Sequence, residues 1–227
     1  MKSAEDERSD LTRHIRDNHP QVYLTLVSII VALALEDLFS QVRNIYAAGG
    51  PEVTTVLLWL QIAGAFFAAF NVWVGYCHIL ITSRWVLGIW DALSVMSLLI
   101  ILFLINSTVG ASTAAWWLFA VGALLIAGAI ILYVNLNRAR SEPDNFHDAL
   151  PPPRSRSVYH LLIAGLVTLT FGVLVFLEAV GSLLTGIFSA STVMFAVSWA
   201  FVWVDAWTKS VAGTQVSHHA TSDEGES

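Results

Sequence analysis

The chain has a single cysteine, Cys77, and it lies inside an apolar run. No internal disulfide, CxxC redox pair or thiolate metal site can be assembled from one thiol, which removes thiol–disulfide chemistry from the functions to be considered. Charge is also scarce, at 12% of 227 residues. No cluster of Lys and Arg interleaved with aromatics occurs, so nucleic acid is not expected as a partner. The first twenty residues are polar and mixed in charge, with no short apolar core ahead of a small-residue cleavage site. A removable signal peptide is therefore not expected. A TVGYG-like filter, a Walker loop, a GxSxG elbow and an HExxH zinc motif are all missing. With no nucleophile–base pair or metal constellation either, the expectation is a chain that is not an enzyme and carries no cofactor.

Apolar sequence is what the chain has in abundance. Hydrophobic residues make up 56% of it, beyond the usual share of a soluble domain. A bilayer core needs roughly 20 mostly apolar residues per helix. Six stretches qualify, at about 22–42, 54–80, 86–106, 113–136, 158–180 and 185–208. The fold class expected is all-α, a polytopic helical membrane protein with six transmembrane helices. Gly49-Gly50-Pro51, Thr82-Ser83-Arg84, the Asn106–Ser112 stretch and Gly181-Ser182 punctuate the short connections. The long connection at 137–157 carries Pro143 and Pro151-Pro152-Pro153 and reads as an irregular loop. Residues 1–20 read as a polar N-terminal tail, 21–209 as the membrane domain, and 210–227 as a disordered C-terminal tail.

Cytoplasmic loops retain Lys and Arg during insertion. With the N-terminus inside, ten of the eleven Lys and Arg fall on the cytoplasmic side and Arg43 alone falls outside. Both termini are thus expected in the cytoplasm, and the membrane expected is a bacterial cytoplasmic membrane. Trp59, Tyr76, Trp85, Trp116, Trp117, Tyr133, Tyr159 and Trp207 lie near the expected interfaces and read as interfacial anchors.

Polar residues inside such helices are informative, because an ionisable group at mid-bilayer costs at least about 2.5–3.5 kcal/mol and normally faces a partner or water. In the second span Gln61, Gly64, Ala68, Asn71, Gly75 and His78 follow steps of three and four, which puts them on one helix face. Asp91, Ser94 and Ser97 recur at threes in the third span, and Ser191, Ser198 and Asp205 at sevens in the sixth. Thr25, Ser28, Ala32 and Glu36 form a similar row in the first. Such rows either pack helices closely or line a hydrated path. Glu36, Asp37 and Glu178 fall towards the outer ends of their spans. Asp91 and Asp205 fall towards the inner ends. Asp91 has apolar neighbours in sequence and needs a partner on another helix, with Asn71 or Asp205 at the matching depth.

These features point to a membrane channel or transporter for a cation, protons included, with a homo-oligomer and the lipid bilayer as its expected partners. The path residues expected are Asp91, Asp205, Asn71, Gln61, Glu36, Glu178, Ser94 and Ser198. The alternative is a non-catalytic membrane scaffold, or a membrane subunit of a larger assembly, docking a partner on the 137–157 loop.

Overall fold

The structure, a computed structural model, describes residues 4–49, 55–82, 89–141 and 155–223. Among them there are no strands, and the order is α1 (Ala4–Ala48), α2 (Val56–Thr82), α3 (Ile89–Ser107), α4 (Ala114–Ser141), α5 (Ser155–Phe176) and α6 (Ser182–Asp223). All six helices contain a stretch long and apolar enough to cross a membrane. The helices alternate up and down. At one end, called distal here, α1 meets α2 through Tyr46 and Trp59, and α4 meets α5 through Trp116 and Phe176. At the opposite, proximal end, the late residues of α2 and α4 meet the early residues of α3.

The helix ends follow from local chemistry. α1 stops at Ala48 because Gly49 takes a left-handed φ of 61° and donates its N–H to Tyr46 O. α5 ends four residues before the expected boundary at 180. There Glu178 donates to Val175 O and Ala179 to Leu174 O, a Schellman arrangement that needs a left-handed residue at 178. Glu178 occupies it at φ 54°, where glycine is the usual choice.

Three helices extend beyond the boundaries expected for them. The helical backbone of α6 runs to Asp223, through the part of 210–227 expected to be a disordered tail. α1 likewise begins at Ala4, within the expected N-terminal tail. α4 continues to Ser141, so Arg138 and Arg140 sit in its last turn and not in the 137–157 loop. The turn at 83–88 with Arg84 and Trp85, and residues 142–154 of the Pro-rich loop, lie outside the described residues.

Packing centres on α2, which touches α1, α3, α4 and α6, while α5 is held chiefly by α4. The fully buried core includes Val27, Leu58, Val95, Leu102, Ile105, Trp117 and Leu118. The α4–α5 seam is close because Gly122 and Gly165 face each other. A Cβ on Gly165 would stand 2.7 Å from Ile126 Cγ1 and 3.1 Å from Gly122 O. Gly165→Ala is expected to lower stability by roughly 1–3 kcal/mol through overpacking. Gly186→Ala on α6, with nothing within 4 Å of the new methyl, is expected to raise it by up to about 1 kcal/mol. Thermal unfolding in detergent reads both. In the same assay Glu178→Gly should gain up to about 1 kcal/mol by relieving the left-handed backbone; a loss instead would show that the Glu178 side chain itself holds the α5–α6 turn.

Candidate functional site

The polar row read in α2 does face the interior. Gln61, Gly64, Ala68 and His78 are buried, with Asn71 and Gly75 half-buried between them. Gly64, Ala68, Asn71 and Gly75 line a cavity of about 120 Å³ between α2, α4 and α6. Val121, Leu124 and Gly128 of α4 and Thr192, Phe195 and Trp199 of α6 complete most of its wall. The wall is mainly hydrocarbon, so Asn71 is its chief polar group. The Asn71 amide donates to Phe67 O at 2.8 Å and to Ala196 O at 2.9 Å, which ties α2 to α6. Its Oδ1 is buried with no partner.

At the proximal end the cavity reaches Tyr76, which shares a 2.7 Å hydroxyl–hydroxyl hydrogen bond with Ser94 of α3. Ser94 Oγ also lies 2.7 Å from Asp91 O, one turn back on α3. The Asp91 carboxylate forms an ion pair at 2.7 Å with the guanidinium of Arg138. Asp91 is 15% exposed and Arg138 35%. This differs from the two partners expected for Asp91: the Asn71 amide is engaged with the Phe67 and Ala196 carbonyls, and Asp205 is exposed on α6. Arg138 could not be a candidate while it was assigned to the loop. One extra turn of α4 brings it beside Asp91, where a cation at a helix C-terminus is also favoured by the macrodipole.

At the distal end the polar groups are fully buried. The Gly110 N–H, at a φ of 154°, donates to Gln61 Oε1 at 2.8 Å. This bond fixes the Gln61 amide with its Nε2 turned elsewhere and unpartnered. Trp117 lies across Gly64, where a Cβ would meet its Cζ2 at 2.7 Å and Val193 Cγ2 at 3.2 Å. Trp117 and Ser189 are fully buried, and the indole Nε1 and the Ser189 Oγ lack partners. An unpaired buried polar group costs about 1–3 kcal/mol, so this end of the bundle carries a concentrated penalty.

The remaining expected path residues are scattered. Glu36, Glu178, Ser198 and Asp205 are exposed, on α1, after α5 and on α6, away from the cavity. Ser97 and Ser191 are exposed too, and each bonds its own helix, to Leu93 O and Ile187 O. On α6 the interior row is Thr185, Ser189 and Thr192 instead. Asp37, half-buried, accepts from Asn106 Nδ2 at 3.1 Å, and that amide also donates to Ala34 O, joining α1 to α3. Trp117 and Tyr76, read as interfacial anchors, are interior residues, whereas Trp59, Trp116, Tyr133 and Tyr159 are exposed. His78 is buried and His160 exposed, and among the described residues no group of three His, Cys, Asp or Glu is placed to hold a metal ion.

No protein-family model matches the chain, and neither a curated protein nor a solved structure does so. The site therefore has to be understood from its own geometry.

The Asp91–Arg138 pair lies between the limits set by exposed pairs, worth about 0.2–1 kcal/mol, and buried pairs, whose breaking costs about 3–5 kcal/mol. Asp91→Asn and Arg138→Gln should each destabilise within that span. The double variant should lose less than the sum of the two; additive losses in chemical unfolding would mean the charges do not support each other.

Proposed function

We propose that the protein spans a membrane six times with both termini in the cytoplasm, and moves a small cation, protons foremost, along the inner face of α2. Membrane residence is supported by the outer surface. Leu26, Ile29 and Leu33 of α1, Met96, Ile100 and Phe103 of α3, and Ile163, Leu166 and Val173 of α5 are all exposed. So continuous an apolar skin belongs in lipid rather than water. The cytoplasmic assignment of the termini is supported by the placement of Lys and Arg, and a bacterial cytoplasmic membrane is the setting we propose for it.

The transport reading is carried by one arrangement: the polar file from Asn71 through Tyr76 and Ser94 to the Asp91–Arg138 pair. Asn71 and Tyr76 are five residues apart on α2, roughly 7.5 Å along the axis. Tyr76 lies 2.7 Å from Ser94, Ser94 lies 2.7 Å from the main-chain oxygen of Asp91, and the Asp91 carboxylate lies 2.7 Å from Arg138. The Asp91–Arg138 pair puts a carboxylate and its counter-charge at the proximal end of this file. A cation arriving through the cavity would meet that carboxylate and compete with the guanidinium for it. Ser94 spends its one hydroxyl proton on Asp91 O, so in the Tyr76–Ser94 bond the phenol donates and Ser94 accepts.

The test is proton flux into liposomes containing the purified full-length chain, with potassium and sodium gradients run in parallel. Wild type should collapse a pH gradient. Asp91→Asn should slow the collapse by at least about tenfold, a modest share of what acid–base groups contribute elsewhere. Ser198→Ala, exposed on the far side of α6, should leave it unchanged. Flux no greater than in empty liposomes under every gradient would sink the reading.

A further inference from the structure

The cavity stops at Gly64 and Trp117, and the two residues a turn beyond them, Gln61 and Ser189, do not line it. Gln61, Trp117 and Ser189 are instead sealed completely, at 0% exposure each. α2 and α6 run in the same direction, and Val193 of α6 packs against Gly64 of α2. Gln61 precedes Gly64 by three residues and Ser189 precedes Val193 by four, so both sit at the level just distal to the indole. The indole Nε1 is two bonds from Cζ2, the ring atom that rests on Gly64. Three unpartnered polar atoms from three helices thus lie at the closed end of the cavity.

A shut contact normally matches polar groups with each other or leaves hydrocarbon on both sides. This one does neither. Packing of the indole on bare backbone favours closure, while each orphaned group would gain a partner if water entered. The two tendencies oppose each other, as a bistable element requires.

We propose that Trp117 is the distal gate of the interior path, closed in this structure by lying on Gly64 and opened by withdrawal of its ring, which wets Gln61 and Ser189. The size of the opening between Trp117 and Gly64 then determines what can pass. The inference rests on the transport reading for its meaning, but it is tested by solvent access and requires no flux.

The experiment places a thiol behind the gate. In a Cys77→Ser background, Ser189→Cys is exposed, in proteoliposomes, to a charged, membrane-impermeant methanethiosulfonate reagent, and Ser107→Cys serves as an exposed control. With Trp117 in place, position 189 should label at least about tenfold more slowly than position 107. Trp117→Ala should bring its rate to within a few-fold of the control. Gly64→Ala should do the same with the indole retained, because its methyl would need the space within 2.7 Å of Cζ2. Two variants guard against misfolding of either, with monodispersity as the check. Rapid labelling of position 189 with Trp117 intact would overturn the proposal, as would unchanged labelling in whichever gate variant folds. A chain that labels as expected yet passes no protons would retain the gate and lose the transport reading.

Discussion

A large ring on one helix lies on the bare backbone of another, and that contact sets the spacing of the bundle. Trp117 needs a partner with no side chain, and Gly64 supplies it. The Cζ2–Cη2 edge of the indole therefore fills the place a side chain on Gly64 would take. Below that level the facing residues are Ala68 and Gly75 on α2 against Val121, Leu124 and Gly128 on α4. None is long enough to fill a gap sized for tryptophan, and close-packed interiors do not collapse freely around such a mismatch. The cavity is thus the space left beneath the ring.

The two ends of that space differ in chemistry. Proximally, the polar groups are joined in hydrogen bonds across three helices and finish in an ion pair with measurable exposure. Distally, they are neutral, buried and short of partners. Charge where water reaches, and neutral donors and acceptors where it does not, is the distribution expected if desolvation is the dominant cost. The site is therefore asymmetric, with a partly exposed ion pair at one end and buried, unpartnered neutral groups at the other.

Much of this was legible in the sequence. Apolar run length located six helices, and Gly49-Gly50-Pro51 marked the first break, because both signals are local. The inner face of α2 was legible too, since glycine, alanine, Gln61 and Asn71 all recur on one set of positions. α6 was not. It carries two polar rows, Ser191–Ser198–Asp205 and Thr185–Ser189–Thr192, and helical spacing identifies each as a face without saying which face meets the bundle. The partner of Asp91 was hidden because helix ends are the least certain part of a sequence reading: Arg138 became a neighbour through a few residues of extra helix. Trp117 was hidden by its position beside Trp116. Adjacent residues point about 100° apart on a helix, so the pair had to divide between outside and inside, and only the glycine on α2 decides which ring is buried.

The bond from the Gly110 N–H to Gln61 Oε1 reaches beyond the local geometry of the α3–α4 turn. It is a crossbar between a surface connection and the interior of a different helix. The turn is braced on its own side by Thr113, whose hydroxyl donates to Thr108 O. Through that bond the α3–α4 connection and the buried face of α2 share one hydrogen-bonded joint, so a change in the turn's backbone at Gly110 costs Gln61 Oε1 its partner.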